Sequence, residues 1–366
     1  MKVLVIGGTQ FNGFHLVREL ARTGHDVTVL NRGKTEAPLP GFVKRLRCDR
    51  TDSAAMRELL GGQDWDCVHD MCAYHPSDVE LMTDILDGRT GHYIFASSTV
   101  IYAPTHELPI TEGHAIDAGP AQNEYGLHKI LCEEHLLRAH RDRGFPATVA
   151  AFSMVFGPRN ILPDREQRMF TRLLAGRPVL IPGDGTTLGQ VGHVEDEARA
   201  LRMMMQNSRT FGRRYNLTGG DFYSDEGYVD TFAQVVGVEP EKIFIPHAMM
   251  DDIWAGRVEL GDARVQARID IRTAAPSEAE RKSAARFRFN RILQRIAPHL
   301  HHWNRNVLFS TRRLTEDVGW VPEFSFRGAV QQTWEWMVAE GLDKTLEFDF
   351  AFEDELIAQI RRGGDR

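Results

Sequence analysis

Three polar residues have the types and spacing needed to move a proton at a carbinol or carbonyl carbon. Tyr125 precedes Lys129 by four residues, which places the two side chains on one face of a helix. A free phenol ionises only at roughly pH 10, and a nearby ammonium favours the phenolate. Ser98 ends the strand predicted before this helix, where its hydroxyl can hold a substrate oxygen beside the phenol. These residues predict acid–base catalysis coupled to hydride transfer.

A glycine-rich turn joins the first predicted strand to the first predicted helix. The strand is the apolar run 2–6, the turn reads Gly-Gly-Thr-Gln-Phe-Asn-Gly over residues 7–13, and the helix stops near Gly24. Glycines let the backbone approach a pyrophosphate, and the helix N-terminus offers free amides. We therefore predict a dinucleotide site, with a turn that binds no ligand as the alternative. The predicted contacts are Gly7, Thr9, Gln10, Phe11, Asn12 and Gly13.

The end of the second predicted strand bears on the choice between NAD and NADP. An acidic residue there would bind the ribose hydroxyls of NAD, whereas this sequence has Asn31 and Arg32. A guanidinium can pair with a 2′-phosphate, so Arg32 favours NADP, although an exposed arginine stacked on adenine would serve either cofactor. After the third strand, Asp49 is predicted to accept the adenine amino group, or instead to cap the helix near residues 54–60.

Later strand ends complete the predicted cofactor site. Small side chains after the fourth strand would let the middle of the cofactor pass, and Cys72 there fits packing better than nucleophilic chemistry. The fifth strand delivers serines at its carboxyl end, where ligands bind in open α/β sheets. The further predicted cofactor contacts are Arg50, Met71, Cys72, Ala73, Ser97, Tyr125, Lys129 and Met154.

Several motifs, in the right order, resemble the NAD-dependent epimerase/dehydratase family of extended short-chain dehydrogenases/reductases. They are the serine-rich strand end at 95–102, Tyr125 with Lys129, Val-Phe-Gly-Pro-Arg at 155–159, Gly-Asp-Gly at 183–185, His-Val-Glu-Asp at 193–196 and Val-Gly-Trp at 318–320. The resemblance implies an α/β fold in which residues 1–157, with later returning segments, form a Rossmann-type doubly wound parallel sheet. Residues 158–366 would mostly form a smaller α/β substrate domain. The glycine turn and the Asn-Arg-Gly segment are also similar to the branch containing chloroplast stem-loop RNA-binding proteins.

Departures from the family pattern narrow the expected chemistry. Thr99-Val100 stand where sugar-nucleotide dehydratases have Asp-Glu, so the groups that expel water are missing. Ala151 replaces a usual arginine, and residues 189–192 lack the arginine that often precedes the His193 motif. A standard sugar-nucleotide substrate is therefore in doubt, whereas the cofactor and proton-transfer residues are retained. Resemblance to typical epimerases implies NAD, which opposes the indication of NADP from Arg32.

Two classes of function remain after these comparisons of motifs. The first is an enzyme that oxidises a carbinol of a sugar, nucleotide-sugar or related phosphorylated or nucleoside substrate. Re-reduction from the other face would make it an epimerase, and release of the ketone a net dehydrogenase or reductase. The second is an RNA-binding protein on the same fold, which the intact Ser98, Tyr125 and Lys129 disfavour. The residues proposed to contact substrate are Ser98, Thr99, Tyr74, Asn160, His193 and Arg305.

An arginine-rich segment at about 262–306 matches no family motif. It is predicted either to cover a substrate phosphate or carboxylate, or to be a solvated helical insertion or subunit contact. His299, His301 and His302 lie in it without a cysteine or acidic cluster, so we predict no metal site.

Composition restricts the possible partners. The net charge of −7 disfavours nucleic acid, and no apolar stretch is long enough for a membrane span. The four cysteines form no Cys-x-x-Cys motif, which fits reduced thiols and a cytoplasmic location. We expect no signal peptide. The family resemblance implies a homodimer built on the helix that carries Tyr125 and its neighbour.

Overall fold

The computed structural model describes residues 1–119, 122–162, 165–254, 303–348 and 350–364. Most of the arginine-rich segment predicted at 262–306 lies outside these residues, together with its three histidines. The described chain forms two compact units. Unit 1 comprises Met1–Ile161, Val191–Gly220 and Phe309–Ser325, and unit 2 comprises Leu162–Gln190, Asp221–Leu308 and Phe326–Arg366, within the described residues.

The strands are short, and most belong to unit 1. In chain order they are β1 (Lys2–Ile6), β2 (Asp26–Asn31), β3 (Lys44–Arg47), β4 (Cys67–Asp70), β5 (Tyr93–Ser98), β6 (Ala147–Phe152), β7 (Val155–Phe156), β8 (Val179–Pro182), β9 (Leu188–Gly189), β10 (Gly192–His193), β11 (Arg213–Leu217), β12 (Tyr223–Ser224) and β13 (Lys242–Ile245).

The helices alternate with the strands through unit 1. They are α1 (Phe11–Arg22), α2 (Ser53–Leu60), α3 (Pro76–Ile85), α4 (Glu124–Arg143), α5 (Glu166–Leu174), α6 (Val194–Met204), α7 (Asp225–Val236), α8 (His247–Trp254), α9 (Arg312–Val318), α10 (Phe326–Ala339), α11 (Leu342–Thr345) and α12 (Ala351–Gly364). Two short 3₁₀ helices cover Thr99–Ile101 and Ser208–Thr210.

A seven-stranded sheet in the order β11-β6-β5-β4-β1-β2-β3 forms the centre of unit 1. Every neighbouring pair is parallel. The chain builds outward from β1 to β3, then returns to β4 on the other side of β1. That reversal between β1 and β4 is the switch point at which open α/β sheets bind ligands. The doubly wound Rossmann-type fold predicted from the sequence is confirmed.

The first strand is buried on both faces, as its continuous apolar sequence predicts. Val3 and Val5 belong to a core cluster shared with α1 and α6, because alternate side chains point to opposite faces. Leu4 and Ile6 belong to a second cluster shared with α2, α3 and α4. The sheet is therefore covered by helices on both sides, which holds its strand ends in fixed positions.

Two of the recognised motifs are joined within unit 1. The Asp196 carboxylate, in the first turn of α6, accepts the backbone amides of Glu323 and Phe324 at 2.9 and 3.0 Å. The Trp320 indole donates to the backbone carbonyl of the same aspartate at 3.1 Å. The His-Val-Glu-Asp and Val-Gly-Trp motifs thus hold a distant segment of chain against α6.

Unit 2 contains short paired strands and helices. β13 pairs with β8 in parallel, and β12 pairs with β9 antiparallel. Helix α7 begins after its N-cap Ser224, whose hydroxyl accepts the Gly227 amide at 3.0 Å. Tyr228 and Phe232 are buried in it, with ring centroids 4.5 Å apart. Another cluster joins β8 and β13 to the C-terminal helix.

One predicted helix cap is wrong. Asp49 was an alternative cap for the helix near 54–60, but α2 begins at Ser53 and its N-cap is Asp52, which accepts the Ala55 amide at 3.0 Å. Asp49 lies one turn too early and instead accepts the Thr51 amide and hydroxyl at 3.1 and 2.8 Å. Asp49, Thr51 and Asp52 all carry acceptor oxygens within four residues, so the sequence alone does not decide which of them caps the helix.

Candidate active site

Apart from Tyr125 and Lys129, which lie on α4, the predicted catalytic and cofactor residues of unit 1 lie at or just after the carboxyl ends of its parallel strands. The glycine turn follows β1, Asn31 ends β2, and Asp49 follows β3. Residues 71–73 follow β4, Ser97 and Ser98 end β5, and Met154 follows β6. Because these strands are parallel neighbours, the structure brings all of these segments to one edge of the sheet.

The Lys129 ammonium connects two of these segments. Its Nζ donates hydrogen bonds of 2.7 Å to the backbone carbonyls of Ala73, after β4, and Ala96, in β5. The side chain is 2% exposed, and burial lowers the pKa of Lys129 to about 8. The ammonium lies 5.6 Å from the centroid of the Tyr125 ring, on the previous turn of α4. The predicted helical pairing of the two residues is therefore present.

Tyr125 stands at the accessible side of the lysine. It is 43% exposed and lies near the start of α4, whose N-cap Asn123 accepts the Gly126 amide at 2.8 Å. The Tyr74 ring is 6.3 Å from the Tyr125 ring, and Lys129 Nζ is 5.0 Å from the Tyr74 centroid. Two phenol rings thus flank one buried ammonium, and Tyr74, a predicted substrate residue, belongs to this cluster.

Ser97 and Ser98, the last residues of β5, have different surroundings. The Ser98 hydroxyl is partly accessible and accepts the Val100 amide at 3.3 Å, at the start of the 3₁₀ turn. Ser97 is buried, and its hydroxyl donates to the Glu133 carboxylate. Any contact between Ser97 and a cofactor would therefore involve its backbone.

Sequence reasoning missed Glu133. It lies one turn beyond Lys129 on α4, and its carboxylate is bonded to the Arg214 guanidinium, with 2.6 Å between Oε2 and Nε. Burial raises the pKa of Glu133, and the arginine opposes that effect. The spacing Tyr125, Lys129, Glu133 continues one helix face, so the i+4 pattern offered a signal for it. Arg214 is on β11 and gave none.

The glycine turn brings the start of α1 as close to β1 as a dinucleotide site requires. A Cβ atom on Gly13 would lie 2.1 Å from the Gly7 carbonyl oxygen, so only glycine lets α1 start this close to β1. The Phe14 amide donates to the Gln10 carbonyl at 3.2 Å, and the amides before it point out of the helix N-terminus. Asn12 Oδ1 is buried and has no hydrogen-bond partner among the described residues. The free amides at the start of α1 fit a bound pyrophosphate, whereas the Asn12 oxygen is an acceptor and would need a donor such as a ribose hydroxyl of the same ligand.

Two of the predicted adenosine contacts differ in availability. Asp49 is exposed and lies near the positive charges of Arg32 and Lys34. Arg50 is buried, and its Nη1 and Nη2 donate to the two Asp70 carboxylate oxygens at 2.8 and 3.0 Å. Burial would raise the pKa of Asp70, but Arg50 beside it lowers that pKa below its ordinary value. The Arg50 guanidinium is thus bound within the protein.

The loop after β4 is fixed by the same group. Asp70 Oδ1 accepts the Cys72 amide at 3.2 Å, and Arg50 Nη1 lies 3.5 Å from the Cys72 sulfur. A Cβ on Gly7 would lie 3.0 Å from that sulfur. Burial raises the pKa of the Cys72 thiol, which fits the predicted packing role better than a nucleophile.

The other predicted substrate residues are dispersed. Thr99, Asn160 and His193 are buried in unit 1, and His193 lies 3.9 Å from the Phe324 ring between centroids. Arg305 is half-buried in unit 2. Only Ser98 and Tyr74 of this predicted set are partly or fully accessible near the lysine.

Among the described residues, no group of three or more histidine, cysteine or acidic side chains could hold a metal ion. None of the helices in the described ranges is long and apolar enough to cross a membrane.

A parallel doubly wound sheet with a glycine turn at its switch point defines a Rossmann-type fold. The model of the "NAD dependent epimerase/dehydratase family" matches residues 3–218, and the chain belongs to that family. The resemblance inferred from the sequence motifs is thereby confirmed.

Characterised relatives include proteins of several kinds. The chain is 31% identical over 254 residues to chloroplast stem-loop binding protein of 41 kDa b from Arabidopsis thaliana, a match covering 66% of this chain and 65% of that protein. It is 27% identical to 2′-dehydrokanamycin reductase of Streptomyces kanamyceticus, covering 58% and 60%. It is 26% identical to UDP-glucose 4-epimerase of Lactobacillus helveticus, covering 71% and 91%. The chain thus spans less than two thirds of the first two relatives.

Solved structures share the fold at low identity. UDP-glucose 4-epimerase from Thermotoga maritima, solved with UDP-glucose, has a TM-score of 0.67 and 19% identity, covering 95% of this chain and 100% of that one. dTDP-glucose 4,6-dehydratase from Bacillus anthracis, solved with NAD, has a TM-score of 0.68 and 13% identity, covering 93% and 98%. At these identities the likeness shows the fold alone.

Proposed function

We propose that the chain is an NAD(P)-dependent epimerase-type oxidoreductase acting on a carbinol of a sugar, nucleotide-sugar or related phosphorylated or nucleoside substrate. The observation that carries the proposal is the position of Lys129. Its buried ammonium ties the loop after β4 to the strand that ends in Ser98, beside the Tyr125 ring. Burying an ammonium costs free energy, and buried titratable groups of this kind are concentrated at functional sites. Here the ammonium lies next to a phenol that is accessible to solvent.

We assign the cofactor to the edge of the sheet described above. The turn at residues 7–13 would hold the pyrophosphate, Asn31 and Arg32 the adenosine ribose, and residues 71–73 the middle of the molecule. Met154 and the backbone of Ser97 would lie beside the nicotinamide. When bound, NAD(P) supplies the hydride acceptor and, once reduced, the hydride donor. We assign Arg50 to positioning the loop after β4, since its guanidinium is already bound by Asp70.

The chain's own residues would handle the proton. The Tyr125 phenolate takes the hydroxyl proton of the carbinol as a ketone forms, and returns it when the ketone is reduced. The Lys129 ammonium stabilises the phenolate through its charge. The Ser98 hydroxyl donates a hydrogen bond to the substrate oxygen and orients it towards Tyr125.

Epimerase and net reductase remain distinct proposals. The similarity to UDP-glucose 4-epimerase favours the first, and the similarity to 2′-dehydrokanamycin reductase favours the second. An epimerase returns its cofactor unchanged, whereas a reductase must exchange it each turnover. RNA binding is the alternative of another class, because the stem-loop binding protein is 31% identical.

One set of measurements separates these proposals. Mass spectrometry of nucleotides released from the purified protein tests for NAD(P), and a panel of UDP- and dTDP-sugars and sugar ketones is assayed with and without added cofactor. Epimer formed without added cofactor supports the epimerase, and stoichiometric NAD(P)H consumption supports the reductase. Tyr125→Phe should lower turnover by roughly 10²–10⁴-fold, and Ser98→Ala by less. Stem-loop RNA binding without nucleotide retention would instead support the binding protein.

We also propose a homodimer built on α3 and α4. These helices pack side by side in unit 1, and Leu127 and Leu131 on α4 are 37% and 38% exposed. Leu131→Glu should convert a dimer to a monomer in light scattering, whereas a wild-type monomer would contradict the proposal.

We propose a cytoplasmic location because the four cysteines are free thiols, which are typical of reducing compartments.

A further inference from the structure

The carboxyl ends of β2 and β3 bring two arginines together. Asn31 lies directly opposite Arg47 in the register of these strands, and neighbouring strands are about 4.8 Å apart. Arg47 Nε donates to the backbone carbonyl oxygen of Arg32 at 3.2 Å. Arg32 and Arg47 are therefore adjacent, although the sequence separates them by a loop.

Gly33 makes room for the second arginine. Its φ is +69°, and a Cβ atom there would lie 2.6 Å from Arg47 Nε and 3.0 Å from Arg47 Cζ. A side chain at this position would displace the guanidinium. The Arg47 head group thus lies against the turn backbone, with its two Nη groups unbonded among the described residues.

The surrounding groups favour an anion. Asn31 Oδ1 accepts the Gly33 amide at 2.7 Å, which leaves the asparagine NH₂ group as a donor. Within the described ranges, neither Arg32 nor Arg47 has a carboxylate within 4.0 Å. Asp49 is an acidic group nearby, and its Oδ1 accepts the amide and hydroxyl of Thr51. Lys34 adds a third positive charge. Together with the hydrogen bonds from Thr51, the charges of Arg32 and Lys34 help to lower the pKa of Asp49.

We propose that Arg32 and Arg47 together bind the 2′-phosphate of NADP, with the Asn31 amide as a further donor. The inference rests on the proposed function and specifies its cofactor. A phosphate monoester offers three oxygens, which suit two guanidinium groups approaching from neighbouring strands. The 2′-hydroxyl of NAD needs an acceptor instead, and the Asn31 oxygen is already bonded to Gly33.

Calorimetric titration with NADP⁺ and NAD⁺, after removal of co-purified nucleotide, tests the proposal without a substrate. The wild type should bind NADP⁺ more tightly. Arg47→Ala and Arg32→Ala should each weaken NADP⁺ by about 10- to 100-fold and NAD⁺ by less than threefold. Arg45→Ala is the matched control, because Arg45 is on the same strand two residues earlier and donates to the Ala37 carbonyl at 3.0 Å.

The same contrast should appear in competition with fragments. In the wild type, 2′,5′-ADP should displace bound NADPH more effectively than 5′-AMP does, as measured by the fluorescence of bound NADPH. In Arg47→Ala the two fragments should displace NADPH equally well. Equal losses for NADP⁺ and NAD⁺ in both arginine variants would mean adenine stacking and would overturn this inference alone. Tighter wild-type binding of NAD⁺ would overturn it as well. Failure of both nucleotides to bind would overturn the proposed function together with it.

Discussion

The Glu133 carboxylate is bonded to the Arg214 guanidinium inside unit 1, with 2.6 Å between Oε2 and Nε. The same carboxylate accepts the Ser97 hydroxyl, and Arg214 Nη1 also donates to the Glu112 carbonyl at 3.2 Å. One ion pair therefore connects α4, β5 and β11. Ser97, which precedes Ser98, is thus held by the Glu133 carboxylate, and that carboxylate is in turn balanced by Arg214 on the edge strand β11.

Breaking this ion pair from one side should destabilise the protein strongly. Glu133→Gln or Arg214→Met leaves one buried charge unpaired, and each should lower the free energy of unfolding by about 3–5 kcal/mol. The double variant Glu133→Gln/Arg214→Met should lose less unfolding free energy than the two single variants added together, because it leaves no unpaired charge. Urea denaturation measures all three. The exposed pair Arg57–Asp84, at 3.3 Å, is the control, and Arg57→Met should cost at most about 1 kcal/mol. Additive losses at Glu133 and Arg214 would contradict the coupling.

Gly13 should tolerate no side chain. In Gly13→Ala the Cβ atom would meet the Gly7 carbonyl oxygen at 2.1 Å, so the turn or the start of α1 must move. We expect loss of bound nucleotide, measured by calorimetry, and a lower melting temperature. Gly62→Ala is the control, since a Cβ there has no heavy atom within 4 Å. Unchanged nucleotide affinity in Gly13→Ala would place the phosphate site elsewhere.

Stability should depend on pH through Lys129. Its pKa is lowered from 10.5 to about 8 by burial, so the unfolded chain holds this proton over a wider pH range. The cost of burying the ammonium is greatest below pH 8 and disappears as pH rises towards 10.5. Relative to Lys129→Met, the wild type should therefore gain up to about 3 kcal/mol of unfolding free energy across that interval. Denaturation curves from pH 7 to 10 measure the difference, and a difference independent of pH would refute it.

The corrected cap of α2 gives a smaller effect that can be checked directly. Asp52→Ala removes the acceptor of the Ala55 amide and should cost about 1 kcal/mol. Asp49→Ala removes contacts within an exposed turn and should cost less than half of that amount. Thermal denaturation of the two variants ranks them. The reverse order would mean that Asp49 contributes more to the helix start than its position indicates.

The fold class and the family were predictable because their signals are local. An apolar run, a glycine turn and a helix start are contiguous in sequence, and the order of the later motifs followed the order of the strands. The structure has β1 at Lys2–Ile6 and α1 at Phe11–Arg22, where this local pattern predicts a strand and a helix. The tyrosine–lysine spacing is also local, and the helix places the two side chains as expected.

The missed residues depend on pairings between distant segments. Arg47 matters through its register opposite Asn31, and nothing in a four-residue basic strand indicates that register. Arg214 is on β11, and only the strand order β11-β6-β5 shows that this late strand lies near Glu133 and Ser97. Arg50 was predicted as a cofactor contact from its place after β3, but the buried acid that binds it comes from β4.

The order of strands in the sheet has a consequence for biosynthesis. β6 is buried along its whole length, yet its outer neighbour β11 is made only after residues 153–212 have been translated. During that interval the ribosome-bound chain presents an apolar strand with an open row of amides and carbonyls. Such an edge pairs readily with other nascent chains. Production of the protein should therefore respond to the speed of elongation through residues 153–212 and to the supply of chaperones that cover exposed strands.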